Sequence, residues 1–317
     1  MAKGAFIGID TSNYTTSIAI IDGDGTLVAN LKRPLAVKQG ERGLRQSDAL
    51  FNHTVNIPNL MREAGKYLSE YTPLAVGVST RPRNQEGSYM PCFLAGVSAA
   101  ESASALMGVP LYTFSHQCGH IMAALYSAGK FDLLEREFAA LHLSGGTTEL
   151  VRVKYQSGQF VADICGGTRD LAAGQIIDRV GVYLGLPFPA GAHLERLALE
   201  NTRPLPKTKL ATSSTYVNFS GVENMAIRLY KETEDRAYTA HFVLDYIGRA
   251  ISKILDEYTV QYGEAPFLFA GGVMCNSIIK SMVSRGREAY FAEPSMSADN
   301  AVGTAALAMQ KYKMENT

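Results

Sequence analysis

No two cysteines in this sequence are spaced as C-x-x-C, and the four that are present lie far apart, at Cys92, Cys118, Cys165 and Cys275. That spacing argues against a disulfide framework and against a zinc site built from thiolates. Lys+Arg and Asp+Glu both number 30, so the chain has no bulk positive field that would attract nucleic acid. If RNA is bound, a local patch or a partner protein has to supply the positive charge.

Long apolar runs and targeting segments are missing as well. The apolar runs fall far short of the roughly 18 to 20 residues that a membrane-spanning helix needs. The first residues, Met1-Ala2-Lys3-Gly4, do not resemble a secretory signal. These features predict a cytoplasmic protein without membrane contact. At 317 residues and 46% hydrophobic composition, the chain is long and apolar enough to bury two cores of ordinary size.

Each half of the sequence predicts one plan, in which three antiparallel strands precede helices that alternate with parallel strands. The predicted strands of the first half are 5–10, 15–21, 26–33, 74–79 and 109–114, and its predicted helices are 50–68 and 92–108. The predicted strands of the second half are 138–143, 148–154, 159–165, 267–270 and 289–291, and its predicted helices are 171–184, 192–200, 221–230, 237–262, one from residue 276, and 299–311. The lobes are expected to comprise residues 1–113 and 114–317, and the last helix is a candidate to pack back on the first lobe. Paired lobes of this kind commonly hold a ligand in the cleft between them.

Three loops at strand ends are rich in glycine or in hydroxyl side chains. They are Asp10-Thr11-Ser12-Asn13-Tyr14-Thr15-Thr16, Ser144-Gly145-Gly146-Thr147-Thr148 and Gly271-Gly272-Val273-Met274-Cys275-Asn276. Glycine lets backbone N–H groups converge on an anion, threonine hydroxyls add donors, and the third loop opens a helix. Each loop alone is more often a structural turn. Three of them at strand ends of two lobes fit the nucleotide-binding plan of actin, sugar kinases and Hsp70.

Two histidines lie four residues apart in Phe114-Ser115-His116-Gln117-Cys118-Gly119-His120. On a helix, residues i and i+4 share a face, so both imidazoles can reach one divalent metal ion. For an isolated H-x-x-x-H the commoner explanation is a pair of hydrogen-bonded structural histidines. The remaining histidines have no comparable context and are predicted to be structural; they are His53, His142, His193 and His241.

Taken in order, these motifs resemble the TsaD family of tRNA threonylcarbamoyl transferases along nearly the whole chain. The matching segments are Gly8-Ile9-Asp10-Thr11-Ser12, the histidine motif 116–120, the loop 144–148, the helix 170–179, the segments 184–191, 219–221 and 270–276, and Ala298-Asp299-Asn300-Ala301. The resemblance implies an α/β chain with the actin-like ATPase (ASKHA) fold, in which two duplicated RNase H-like lobes enclose a nucleotide and metal cleft. It also implies metal-dependent transfer of a threonylcarbamoyl group from its adenylate to the N6 amine of the adenosine next to the tRNA anticodon.

Carried over by position, the resemblance implies three sets of site residues. The metal ligands are His116, His120 and Asp299. The nucleotide- or substrate-binding residues are Ser144, Gly145, Gly146, Thr147, Gly174, Asp178, Gly191 and Asn276. The catalytic candidates on the first loop are Asp10, Ser12 and Thr15. The implied cofactors are one divalent metal, iron or zinc with magnesium as a further candidate, and an adenine nucleotide or carbamoyl-adenylate. The implied partners are the adenylate donor, tRNA, and a partner protein or a second copy of the chain.

Several departures from the family pattern fall at the site. The family's first loop continues with an acidic pair, where this chain has Tyr14 and Thr15; Thr147 replaces a histidine, and Arg179 replaces a lysine. The G-P-G segment expected before the metal helix is replaced by residues 81–89, a basic stretch that could contact phosphate or RNA or form a solvated loop. These changes favour a divergent paralogue, and a different acceptor is an alternative to tRNA adenosine.

Two classes of function remain open from the sequence. The first is an enzyme that transfers a carbamoyl group from an adenylate. The second is a catalytically inactive, adenine-nucleotide-binding partner or regulator of the tRNA-modification machinery, favoured by the missing acidic pair. A metallopeptidase is disfavoured, because Gln117 follows His116 where an H-E-x-x-H motif has glutamate. A sugar or acetate kinase shares the fold plan but leaves the histidine pair unexplained.

Overall fold

A computed structural model describes residues 3–12, 14–36, 44–297 and 300–316. The chain forms two compact units. Unit 1 comprises Met1–Glu135, Lys154–Val161 and Ser295–Thr317, and unit 2 comprises Arg136–Val153 and Ala162–Pro294. Unit 1 therefore extends beyond the predicted lobe 1–113, and it includes the last helix, which the sequence made a candidate to pack on the first lobe.

Unit 1 contains a five-stranded sheet with the order β3-β2-β1-β4-β5. Its strands are β1 (Lys3–Ser12), β2 (Thr15–Asp22), β3 (Leu27–Pro34), β4 (Tyr71–Arg81) and β5 (Leu111–Ser115). Its helices are α1 (Gln46–Leu68), α2 (Phe93–Met107), α3 (His116–Ala128) and α10 (Val302–Asn316), and the short α9 (Pro294–Ser297) precedes α10. β1 is antiparallel to β2 and parallel to β4, and β5 continues the parallel part. The predicted strands and helices of this half therefore form in the predicted order.

Glycines let α10 approach both the sheet and α3 closely. A Cβ atom added to Gly77 on β4 would lie 2.7 Å from the carbonyl oxygen of Thr304, and one added to Gly8 on β1 would overlap the backbone of α10. A Cβ on Gly303 would overlap the carbonyl oxygen of Gly119 on α3. Such distances leave no room for a side chain, so these contacts are backbone against backbone. They explain why α3 and α10 belong to unit 1.

Unit 2 contains a seven-stranded sheet with the order β12-β11-β6-β7-β8-β10-β9. Its strands are β6 (Phe138–Leu143), β7 (Thr148–Gln156), β8 (Gln159–Thr168), β9 (Thr212–Ser213), β10 (Tyr216–Val217), β11 (Phe267–Ala270) and β12 (Ala289–Phe291). Its helices are α4 (Ala173–Tyr183), α5 (Gly191–Leu199), α6 (Ser220–Thr233), α7 (Arg236–Tyr262) and α8 (Ser277–Ser284). The order β8-β7-β6-β11-β12 repeats the order β3-β2-β1-β4-β5 of unit 1. The predicted duplication is therefore visible in the strand order.

Each unit has its own apolar core. In unit 1, alternating residues of the strands, such as Ile7, Ile9 and Val78, face the helices that cover the sheet. In unit 2, α7 contributes more buried residues than any other helix, and its Tyr246 and Tyr258 are about 1% exposed. Among the residues that the structure describes, no helix is long and apolar enough to cross a membrane.

The structure departs from the predicted elements in a few places. α1 begins at Gln46 rather than at residue 50 and continues through Pro58, and α10 begins at Val302 rather than at residue 299. The two-residue strands β9 and β10 and the short helix α9 were not predicted, because elements of this length carry no readable periodicity. These differences leave the predicted strand order unchanged.

Candidate functional site

The first cluster lies at one edge of the unit 1 sheet, where the parallel strands β1, β4 and β5 end side by side. Asp10 lies near the end of β1, Ser79 lies near the end of β4, and His116 directly follows β5. The Nδ1 atom of His116 lies 2.8 Å from Oδ2 of Asp10. The sheet thus joins a carboxylate of the first loop to a histidine of the predicted metal motif.

Asp10 is 1% exposed, yet it is held in its ionised form. Burial works against the charge, but attraction to His116 and hydrogen bonds from His116, Ser79 and the Ser12 backbone outweigh it, so the pKa of Asp10 lies below its ordinary value. The backbone N–H of Ser12 donates to Oδ1 at 2.8 Å. Both carboxylate oxygens are therefore engaged, and Asp10 is fixed in orientation.

The contact with Asp10 orients the ring of His116. An ionised carboxylate can only accept, so Nδ1 of His116 donates to it; in the neutral imidazole this leaves the lone pair on Nε2, the atom that a metal ion would bind. The ring of His120 follows one turn later on α3, with its centroid 4.3 Å from that of His116 and the ring planes 73° apart. The donor set of these two imidazoles suits a transition metal.

Asp299, the third predicted ligand, lies outside the described residues. Within the described residues, no three His, Cys, Asp or Glu side chains form a metal cluster.

The turn after Asp10 offers hydroxyls rather than carboxylates. Ser12 is 4% exposed, and its hydroxyl has no hydrogen-bond partner among the described residues. Thr15 is half-buried and pairs with Ser12 in the hairpin register, while Tyr14 is exposed. A buried hydroxyl without a partner costs free energy unless something else binds it. Ser12 is therefore the member of this turn best placed to receive a ligand.

The second cluster lies in unit 2 and begins with the turn between β6 and β7. The Ser144 hydroxyl accepts the backbone N–H groups of Gly146 at 3.3 Å and Thr147 at 3.1 Å, and the Ser144 N–H donates to the Thr147 carbonyl at 2.8 Å. A Cβ atom on Gly145 or Gly146 would meet no atom within 4 Å, and neither residue has a positive φ. The fold itself does not require glycine at these two positions, so they leave open space beside the turn.

Two other glycines of this cluster are required by packing. A Cβ on Gly174 would lie 2.5 Å from the carbonyl oxygen of Ser144, and the Gly174 N–H donates to that oxygen at 3.2 Å. Gly271 has a φ of +97°, and a Cβ there would overlap the carbonyl oxygen of Leu143. The first turn of α4 and the loop after β11 therefore both pack against the turn at residues 144–147.

The remaining predicted binding residues lie on α4, α5 and the start of α8. Oδ1 of Asp178 accepts the backbone N–H of Ala190 at 2.8 Å, directly before Gly191, the first residue of α5. Asn276 is 6% exposed, and its Oδ1 accepts the N–H of Ile279 at 3.1 Å as the N-cap of α8. This hydrogen bond fixes the orientation of the Asn276 side chain and points to its amide NH2 group as the donor for a ligand.

Two carboxylates were not singled out from the sequence. Oε1 of Glu195 on α5 accepts both the N–H of Ser277 at 2.7 Å and its hydroxyl at 2.5 Å, and so ties α5 to the start of α8. Asp170 accepts the N–H groups of Phe219 and Ser220 at the start of α6; burial opposes its charge, but hydrogen bonds from the Ser220 hydroxyl and from these N–H groups lower its pKa to about 2. The partners are far apart in sequence, so no local pattern could have revealed them.

Comparison with known proteins identifies the family. A model of the TsaD family, described as tRNA N6-adenosine threonylcarbamoyltransferase, matches residues 37–306. A tRNA N6-adenosine threonylcarbamoyltransferase from Halalkalibacterium halodurans is 30% identical over 334 residues, covering 98% of this chain and 91% of the relative. One from Methanopyrus kandleri is 27% identical over 304 residues, covering 93% of this chain and 84% of the relative.

Solved structures show the same fold at much lower identity. HypF from T. kodakarensis matches with a TM-score of 0.61 and 12% identity, over 99% of this chain and 48% of HypF. A putative sugar kinase from Cytophaga hutchinsonii matches with a TM-score of 0.52 and 14% identity, over 97% and 99% of the two chains. These matches confirm the predicted actin-like ATPase fold. With the family model covering most of its length, the chain belongs to the TsaD family of tRNA N6-adenosine threonylcarbamoyltransferases.

Proposed function

We propose that this chain transfers a threonylcarbamoyl or related carbamoyl group from its adenylate to an amine. The N6 amine of the adenosine next to the tRNA anticodon is the acceptor to test first, because the relatives are named for that reaction. The observation that carries the proposal is the 2.8 Å contact between Asp10 and His116, with the ring of His120 beside it. A transferase of this kind needs a Lewis acid. The contact supports the proposal because it orients His116 to bind one.

In the proposed metal centre, His116 and His120 bind through their imidazoles, with Asp299 as the third ligand. When bound, a divalent metal would polarise the carbamoyl carbonyl group as a Lewis acid. Two nitrogen ligands favour iron or zinc over magnesium, which prefers oxygen. Asp10 orients His116 and is thus a positioning residue, since both of its oxygens are already used. Ser12 and Thr15 remain the residues of the first loop proposed to contact the substrate.

In unit 2, the residues proposed to bind the adenylate combine open space with polar groups. Gly145, Gly146 and Gly191 leave room for phosphate and ribose, because a Cβ on each would meet nothing closer than about 4 Å. Asp178 has one carboxylate oxygen engaged by Ala190, which leaves the other to accept from a ribose hydroxyl. Asn276 contributes its amide donor. Ser144 and Thr147 are the first and last residues of the turn. The Gly174 N–H donates to the Ser144 carbonyl oxygen and so holds the turn against α4.

The alternative function is a nucleotide-binding partner without turnover. The first loop carries Tyr14 and Thr15 where the family pattern has an acidic pair, and Asp10 is committed to His116, so this loop supplies no general base. In that case the chain would bind an adenylate and pass no group to any acceptor.

A single assay separates the two functions. The purified chain is loaded with iron or zinc and mixed with threonylcarbamoyl-adenylate and unmodified tRNA, and the nucleosides are then analysed by mass spectrometry. We expect a threonylcarbamoyl adduct on adenosine, lost in His116→Ala. An active relative, with its own partner proteins supplied to both reactions, serves as the positive control. Adenylate binding without any adduct would support the non-catalytic alternative and contradict the transferase.

Substitution of Gly145 tests the nucleotide side separately. We expect Gly145→Val to weaken binding of AMP, the nucleotide half of the proposed donor, about tenfold, because the new side chain fills the open space beside the turn. The thermal midpoint should hardly change, since the fold does not need glycine there. Gly221→Val on α6 is the matched control, as its Cβ also meets no atom within 4 Å. Equal AMP affinities for the two variants would contradict the proposed role of Gly145.

A further inference from the structure

Arg81 lies at the same edge of the unit 1 sheet as Asp10 and His116, and it has no role in the proposed function. Arg81 is the last residue of β4, two positions after Ser79, which hydrogen-bonds Asp10. In the register of the parallel pair, Arg81 is opposite Ser115, the residue directly before His116. Because β4 lies between β1 and β5, the contact of His116 with Asp10 spans the end of the strand that carries Arg81.

Neutral oxygens hold the Arg81 guanidinium in place. Its Nη2 donates to Oδ1 of Asn84 at 2.9 Å, and its Nη1 donates to the Thr80 hydroxyl at 3.2 Å. The amide of Asn84 in turn donates to Sγ of Cys118, on the first turn of α3, at 3.2 Å, and to the carbonyl oxygen of Phe160 at 3.0 Å. The Asn84 side chain thus links Arg81 to α3, the helix that carries the histidine pair.

These contacts orient the positive charge of Arg81 without neutralising it. Within the described part of the chain, no carboxylate forms an ion pair with Arg81, and the residue is half-buried. A guanidinium has five N–H donors in a planar fork that matches carboxylate and phosphate groups. Ordering this long side chain costs entropy, which its hydrogen bonds to Thr80 and Asn84 offset. A guanidinium held in this way is suited to binding an anion.

We propose that Arg81 binds an anionic group, a carboxylate or a phosphate, beside the histidine pair, and so helps to determine which donor the chain accepts. Its role in donor choice rests on the proposed function, whereas anion binding itself does not. The family pattern has a G-P-G segment in this place, which carries no side chain able to do this. Arg81 would therefore distinguish this chain from relatives that keep that segment.

The first experiment titrates the purified chain with inorganic phosphate and, separately, with acetate, and measures binding by calorimetry. We expect Arg81→Gln to weaken binding of at least one anion about tenfold or more, because a hydrogen-bonded charge pair is lost. Arg81→Lys keeps the charge but loses the fork, so its binding should be intermediate. Arg62→Gln is the matched control, because Arg62 on α1 also donates to an asparagine oxygen, that of Asn59. No binding by the wild type, or equal binding by the wild type and Arg81→Gln, would overturn the proposal.

A second experiment identifies the anion. It uses a stable analogue of threonylcarbamoyl-adenylate in two forms, with a free carboxylate and with that carboxylate methylated. If Arg81 binds the carboxylate, Arg81→Gln weakens only the free acid; if it binds the phosphate, the substitution weakens both forms equally. If Arg81 binds simple anions while the wild type binds neither analogue, the proposed function fails and the Arg81 site stands.

Discussion

Replacing Asp10 with asparagine is expected to lower the affinity of the chain for zinc about 10- to 100-fold. The carboxylate of Asp10 accepts from Nδ1 of His116 at 2.8 Å, which in the neutral ring keeps the lone pair on Nε2. A neutral amide is a weaker acceptor, and it can also turn its NH2 group towards the ring and favour the other tautomer. The affinity can be measured by competition with a chromophoric chelator. Imidazole ¹⁵N shifts of His116 report the tautomer directly.

Asp22→Asn provides the control for this substitution. Asp22 is another buried aspartate of the unit 1 sheet, 3% exposed, and it accepts the backbone N–H groups of Asp24 and Thr26 instead of a histidine. Its replacement should reduce stability but leave the zinc affinity and the His116 shifts unchanged. An equal loss of zinc affinity in both variants would mean that Asp10 acts only through the fold.

Gly303→Ala is expected to have the largest effect on stability, lowering the free energy of unfolding by about 3 kcal/mol. The added methyl group would overlap the carbonyl oxygen of Gly119 and lie 2.6 Å from the backbone nitrogen of Ala123, so α3 and α10 must separate. Because α3 carries His116 and His120, zinc binding should weaken as well. Urea unfolding monitored by circular dichroism measures the first effect.

Gly65→Ala should instead raise the free energy of unfolding. Gly65 lies inside α1, where an added Cβ would meet no atom within 4 Å. Alanine there should stabilise the chain by about 0.5 to 1 kcal/mol, because it reduces the freedom of the unfolded chain and favours the helix. If the two alanine variants moved the unfolding midpoint in the same direction, close packing of α3 on α10 would not be what Gly303 provides.

Much of the fold could be predicted because its elements carry local signals. Alternating apolar residues mark β1 and β2, and the Asp-Gly-Asp-Gly turn between β2 and β3 marks a hairpin. The spacing of His116 and His120 places both rings on one face of α3, as found. What the periodicity could not predict is which elements pack together. The assignment of α3 and α10 to one unit depends on glycine contacts between residues far apart in the chain.

The same distinction applies to the candidate site. The sequence identified Asp10 and His116 separately, but they are 106 positions apart, and no local pattern connects an acid on a strand with a histidine on a later helix. The sequence also could not separate glycines that the fold requires, such as Gly174 and Gly271, from glycines that leave open space, such as Gly145. That difference depends on which atoms of distant residues approach each one, and only the three-dimensional structure contains it.

The position of α10 has a consequence for synthesis on the ribosome. Residues 302–316 cover Gly8 and Gly77 on the first-made sheet, so the nascent chain cannot complete unit 1 until they have emerged. At about 5 to 20 residues per second, the early strands wait on the order of ten seconds with that surface open to chaperones. Unit 2 uses only residues between 136 and 294 and is fully translated earlier. The later-encoded unit can therefore finish folding first and leave the earlier one to close around the final helix.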